Sequence, residues 1–186
     1  LAPGTTADAP DWNCIEGSYI DTDIDSGGSL DGWELEGSWN FYDDWAYLRG
    51  SYSEQSEDLD SILNDFELDI LSIGVGGIWW LADTTALYGE VSYEDWSLEL
   101  ELFSSPDISE DDSGYRAAAG IRSVVWQGLE LNAEAGMLDV GEIVDSEGFY
   151  RLGAIYTFGN GIGIGASYEE IDDFETWRAT LRYAFR

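Results

Sequence analysis

Trp33-Glu34-Leu35-Glu36-Gly37-Ser38-Trp39-Asn40-Phe41 alternates strictly, with Trp33, Leu35, Gly37, Trp39 and Phe41 at odd positions and Glu34, Glu36, Ser38 and Asn40 at even ones. Successive side chains of a strand point to opposite faces, so the stretch predicts a strand with one apolar and one polar face. The pattern recurs. Leu129, Leu131, Ala133, Ala135 and Met137 oppose Glu130, Asn132 and Glu134, and Trp177, Ala179, Leu181, Tyr183 and Phe185 oppose Arg178, Thr180 and Arg182. Ten such segments are predicted, near 12–20, 32–42, 44–53, 66–81, 84–102, 113–126, 128–138, 148–158, 161–170 and 174–185, with eight strands as the alternative count. Residues 1–11 show no periodicity and are expected to form an N-terminal tail on a single barrel domain, 12–186.

Composition points the same way. The 186 residues suit one domain, and 15% aromatics with 22 Gly and only 3 Pro is a β composition. No apolar run reaches the roughly 18 residues of a membrane-spanning helix, whereas a strand crosses a bilayer with about 9–11. The net charge is -32, and all seven basic residues are Arg. Such a field repels nucleic acid and attracts cations, so no nucleic-acid partner is expected. Cys14, the single cysteine, cannot form an internal disulfide. Leu1-Ala2-Pro3-Gly4 reads as the start of a mature exported chain whose signal peptide has been removed.

The connections between segments alternate. Short ones fall near Tyr42-Asp43, Ala82-Asp83, Gln127-Gly128 and Gly159-Asn160-Gly161, and long ones over 21–31, 54–65, 95–112, 139–147 and 169–175. With adjoining strand ends, the long stretches hold 28 of the 39 acidic residues and no Arg. Aromatics gather near both ends of the segments, with Trp12, Trp39, Trp79, Trp126 and Phe185 toward the short turns. Trp33, Trp96, Tyr168 and Trp177 lie toward the long connections. A soluble sandwich or lipocalin-like barrel also alternates, but turn asymmetry with two aromatic girdles is the pattern of a transmembrane antiparallel up-and-down barrel. The fold expected is therefore all-β, with lipid outside, long acidic loops at the cell surface and both termini periplasmic. The lipid-interface set is Trp33, Trp39, Trp79, Trp126, Tyr168, Trp177 and Phe185.

One segment breaks the pattern. Leu87, Val91 and Tyr93 are odd while Leu98, Leu100 and Leu102 are even, which predicts a β-bulge or loop break near Asp95–Ser97. By parity the lumen holds Glu16, Glu34, Glu36, Arg49, Glu90, Arg116, Arg122, Glu130, Glu134, Arg151, Arg178 and Arg182. Buried charges require partners, so a ladder of Arg–Glu pairs is expected. Small residues Ser72, Gly74, Gly76, Gly163 and Gly165 leave two readings, a structural plug or a narrow water path.

Asp21, Asp23 and Asp25 form a D-x-D-x-D pattern like the start of a calcium loop, but the closing Glu is absent, and a plain solvated acidic loop is the alternative. With no His and one Cys, neither a Ser–His–Asp triad nor a common zinc site can form, and no enzymatic activity is expected.

The runs Trp12–Tyr19, Asp31–Ser38, Tyr47–Tyr52 and Tyr150–Ala154 resemble the small outer-membrane barrels of gammaproteobacteria, and are most similar to ten-stranded vesicle-associated barrels of xanthomonads. The last strand resembles the signal read by the barrel-assembly machinery, although Arg186 follows the final aromatic, Phe185. The resemblance implies a structural, adhesive or surface role. Three functions follow as expectations: a surface barrel with divalent cations bridging its acidic loops to lipopolysaccharide phosphates or a protein partner; a narrow cation-preferring pore; and a subunit of a larger surface assembly.

Overall fold

The computed structural model describes residues 8–24, 28–42, 45–58, 63–102, 108–141, 144–172 and 174–185. The strands are β1 (Cys14–Ile24), β2 (Gly28–Tyr42), β3 (Ala46–Asp58), β4 (Leu63–Ala82) and β5 (Thr85–Leu102). They continue with β6 (Ile108–Trp126), β7 (Leu129–Val140), β8 (Val144–Thr157), β9 (Ile162–Ile171) and β10 (Phe174–Ala184). Each pairs antiparallel with the next, and β1 closes on β10 from Cys14↔Ala184 to Ile24↔Phe174. Closure leaves no unpaired sheet edge, the condition for strands in a hydrocarbon medium.

The alternation sorts side chains as lipid requires. Trp39, Leu131 and Leu181 are 58%, 44% and 59% exposed on the outer face, while Glu90, Arg122, Glu130 and Arg182 are buried inside. A barrel with polar groups at its centre and an exposed band of Leu, Ile, Val and Trp is a membrane barrel, and the soluble alternative is excluded by that orientation.

Two expectations are corrected. Only two to five residues separate the strands at the acidic end, against two to four at the other, because strands run through most of the stretches read as loops: β1 continues to Ile24 and β2 begins at Gly28. The strands are instead long, with β4 spanning 20 residues against the about 9–11 that cross a bilayer. The acidic end is therefore a barrel extension whose backbone groups stay paired.

The expected bulge near Asp95–Ser97 is also absent: β4 and β5 keep register through Leu71↔Asp95, Ile70↔Trp96 and Asp69↔Ser97. Tyr88, Glu90, Ser92, Glu94 and Trp96 are buried in one unbroken even-numbered row. The polarity inverts along β5 while the facing does not. The expected pairing of this extension with β6 is present, as Leu98↔Glu110 and Leu100↔Ile108.

Candidate functional site

At the end where β1 begins and β10 finishes, an aromatic cluster fills the inside. Trp12, expected on the lipid side, instead enters the lumen and packs with Tyr47, Ile78, Ala86 and Tyr88. Its ring lies 4.6 Å from Tyr47 and 5.4 Å from Tyr88. The Arg122 guanidinium covers it at 4.4 Å, and the Trp12 carbonyl accepts a hydrogen bond from Ser38 Oγ at 2.8 Å. The two tyrosine rings occupy the space above Gly76 and Gly120, where any Cβ would lie 2.3 Å from Tyr47 and 2.5 Å from Tyr88. Gly76, one of the small residues read as leaving room for a water path, thus makes room for the plug. Pro10 is buried and the Asp11 carbonyl accepts a hydrogen bond from Arg122 at 2.9 Å, so the end of the expected tail reaches the barrel.

Above this plug lies the charge layer, in two connected groups. In the lower one, Arg182 pairs with Glu16 at 2.6 Å and Glu130 at 3.4 Å, and Arg122 pairs with Glu130 at 2.7 Å. In the upper one, Arg49 meets Glu36 at 2.6 Å and, more distantly, Glu90 and Glu134 at 3.5 and 3.8 Å. Arg116 continues from Glu134 at 2.8 Å to Glu169 at 2.6 Å. Glu169 also takes Arg151 at 2.9 Å and Arg178 at 3.0 Å, and Arg178 ends the chain on Glu34 at 3.3 Å. The planar, forked guanidinium suits this role because one side chain can satisfy several carboxylates.

The sequence-predicted lumen residues are all in this layer. Two members are additional. Glu169 binds three arginines, and Glu94 accepts hydrogen bonds from Ser72 Oγ at 2.9 Å and Ser92 Oγ at 2.6 Å. Glu169 falls in the long connection 169–175, and Glu94 in the strand end that adjoins 95–112. Parity carries the signal that finds them, since Glu94 shares the row of Glu90, and Glu169 sits between the outward Tyr168 and Glu170.

A second apolar layer lies toward the acidic end: Leu30, Leu68, Trp96, Leu138, Val140, Phe149 and Ile171 are buried together. Trp96 thus belongs to the interior, not to a girdle. Between the two layers remain cavities of about 90 and 80 Å³.

On the outside, an aromatic girdle is crowned by carboxylates. Two residues beyond the girdle position stands an acid on eight strands: Tyr19 and Asp21, Trp33 and Asp31, Tyr52 and Glu54, Leu71 and Asp69, Tyr93 and Asp95, Met137 and Asp139, Tyr168 and Glu170, Trp177 and Glu175. The phenols point toward the acids. Tyr52 donates to Asp69 at 3.1 Å, Tyr93 to Asp95 at 3.0 Å and Tyr168 to Glu170 at 2.9 Å, and Tyr150 also donates to Glu170. A ring in lipid with its hydroxyl toward water is the usual interfacial posture of tyrosine.

Of the interface set, Trp33, Trp39, Trp79, Trp126, Trp177 and Phe185 are exposed on the outer face. Tyr168 is half-buried against Trp177, 4.9 Å away.

The calcium-loop reading of Asp21, Asp23 and Asp25 is corrected for the first two. Asp21 and Asp23 lie on β1, paired with Asp31 and Ser29, and an extended strand cannot curl its carboxylates around one ion. Asp25 lies outside the described residues. Glu54, Glu67 and Asp69 do come together on the outer face, with carboxylate oxygens within 4.8 Å of one another.

A family model described as "Outer membrane protein beta-barrel domain" matches residues 8–185. Among solved structures, the translocator domain of the autotransporter NalP from Neisseria meningitidis is 14% identical over 98% of this chain and 91% of its own, with a TM-score of 0.53. The attachment invasion locus protein Ail of Yersinia pestis is 16% identical over 92% of this chain and 95% of its own, with a TM-score of 0.46. The N-terminal barrel of Pseudomonas aeruginosa OprF is 10% identical over 95% of this chain and 100% of its own, also at 0.46. No curated protein matches the sequence.

Proposed function

This chain belongs to the outer membrane protein β-barrel domain family, and from that premise we propose that it is a closed surface barrel, not a conduit. Its acidic collar faces the cell exterior and its termini face the periplasm. Divalent cations bridge the collar to the phosphates of lipopolysaccharide around it.

The observation that carries the reading is the acid standing two residues above the girdle on eight strands. That height is where lipid headgroups begin, and carboxylates crowded there need counter-ions. A divalent ion shared with a lipid phosphate supplies them. Hard cations prefer such oxygen ligands, and Glu54, Glu67 and Asp69 present three together. The apolar layers at both ends of the lumen favour a silent barrel over the narrow-pore alternative.

The test uses the barrel in vesicles with and without lipopolysaccharide. Calcium should raise the unfolding midpoint further with lipopolysaccharide than without it, and the triple variant Glu54→Gln, Glu67→Gln, Asp69→Asn should lose most of that difference. A midpoint indifferent to calcium and chelator contradicts the bridging. Discrete conductance steps from the wild type in planar bilayers contradict the closed lumen.

A further inference from the structure

The charge layer does not balance. Among the described residues, eight glutamates face inward between the two apolar layers: Glu16, Glu34, Glu36, Glu90, Glu94, Glu130, Glu134 and Glu169. Against them stand six arginines: Arg49, Arg116, Arg122, Arg151, Arg178 and Arg182. Six of the glutamates hold a guanidinium within 3.3 Å. Glu90 and Glu94 do not. Glu90 has only one guanidinium, Arg49 at 3.5 Å, which is already committed to Glu36 at 2.6 Å, and its other polar neighbour is the neutral Tyr47 hydroxyl. Among the described residues no arginine pairs with Glu94, whose Oε1 accepts only serine hydroxyls.

These two carboxylates line one cavity on either side of Ser92. Glu90 leans along β5 toward Ser92: a Cβ built on Gly74 would meet Glu90 Oε1 at 3.3 Å and Ser92 Cβ at 2.9 Å. Glu94 leans back from the other side, taking the Ser92 and Ser72 hydroxyls. Both line the cavity of about 80 Å³, and both are over nine-tenths buried, at 7% and 4% exposure. Glu90 Oε2 has no hydrogen-bond partner among the described residues. The other buried polar atoms in that condition, on Trp12, Trp96 and Arg178, are all N–H donors. A buried anionic oxygen without a partner is far more costly than an unused N–H.

We propose that this cavity holds one divalent cation of the calcium type, bound by the Glu90 and Glu94 carboxylates with the Ser72 and Ser92 hydroxyl oxygens, water completing the shell. Calcium takes about 6–8 oxygen ligands in flexible geometry, which suits two carboxylates, two hydroxyls and the remaining room. One such ion cancels the excess of two carboxylates over guanidiniums. The site is inside the barrel and independent of the outer collar.

The experiment uses the full chain refolded in detergent, incubated with calcium, and gel-filtered in about 1 M NaCl, where the Debye length falls to about 3 Å and loosely held surface ions are stripped. Bound calcium is then measured per barrel. The wild type should retain one ion, Glu90→Gln and Glu94→Gln less than about one-tenth of that, and the outer triple variant Glu54→Gln, Glu67→Gln, Asp69→Asn the full complement. A wild type that retains none, or Gln variants that retain as much as the wild type, overturns the proposal. Loss in the outer variant alone would assign the ion to the collar and overturn it equally.

Unfolding midpoints guard against a folding defect. In chelator the Gln variants should unfold no earlier than the wild type, having lost an uncompensated charge. Added calcium should raise only the wild type. Gln variants that unfold earlier in chelator count against the proposal, because the carboxylates would then be stabilising without an ion.

Discussion

Along β5, the segment from Leu87 to Tyr93 and the segment from Asp95 to Glu99 use one facing rule and two opposite polarities. In the first, Leu87, Val91 and Tyr93 look out and Glu90 and Ser92 look in. In the second, Asp95 and Glu99 look out, while Trp96 and Leu98 join the inner apolar layer. The lower barrel is inside-out, as lipid demands, and the upper barrel is built like a water-soluble one. What changes between them is the solvent, and the aromatic girdle with its carboxylate crown marks the boundary. Alternation in a sequence therefore reports strand geometry, whereas which face is greasy reports the medium.

This comparison can be broken by substitutions matched across it, each read from the unfolding midpoint in lipid vesicles by tryptophan fluorescence. The largest effect is expected at neighbours on β9. Glu169→Ala leaves Arg116, Arg151 and Arg178 without their shared acceptor inside the barrel and should cost about 3–5 kcal/mol. Glu170→Ala, one residue on and outward, removes hydrogen bonds from Tyr150 and Tyr168 at the rim and should cost about 0–1 kcal/mol.

Next comes β7. Leu138 is sealed in the upper core, so Leu138→Ala should cost about 2–5 kcal/mol, including a cavity the surroundings cannot fill. Leu131→Ala on the lipid face should cost clearly less, because acyl chains flow into the gap.

A charge sharpens the contrast further. Leu131→Arg places a cation in the lipid band and should cost about 2–4 kcal/mol. Ser97→Arg places one on the outer face of the upper barrel, where Ser97 already donates to Asp111 at 2.6 Å. It should change stability by no more than about 1 kcal/mol, in the stabilising direction at low salt. Equal losses at both sites would mean that lipid wraps the whole cylinder.

Much of this architecture was legible because a period of two survives in every strand. Trp33–Phe41 and Trp177–Phe185 each announce a strand and a lipid face, and parity alone places Arg49 and Glu134 inside. The losses occur where the medium changes. Leu98 opposite Glu99 looks like a register slip when lipid is assumed to continue, so an uninterrupted strand reads as a bulge. The acidic stretch 54–65 reads as a loop for the same reason: polar, outward residues above a membrane resemble a solvated connection.

Glu169 was lost to the connection 169–175, although one carboxylate of the Glu169–Glu170 pair must face inward on any strand. Trp12 was missed because nothing local distinguishes an aromatic that plugs a barrel from one that rims it. The nearness of Glu90 to Gly74, and of Glu94 to the Ser72 and Ser92 hydroxyls, depends on side-chain directions that no spacing encodes.

The claim on which the rest depends is that facing stays constant along β5 while the surroundings switch. A cysteine scan of residues 87–99 on a Cys14→Ser background, spin-labelled in lipid vesicles, tests it directly through collision with oxygen and with a water-soluble nickel chelate. Labels at 87, 91 and 93 should respond to oxygen, labels at 95, 97 and 99 to nickel, and labels at the even positions 90–98 to neither. Accessibility that jumps from odd to even positions beyond residue 95 would contradict the account, because it would mean that the strand turns over there and the upper barrel is not a continuation of the lower one.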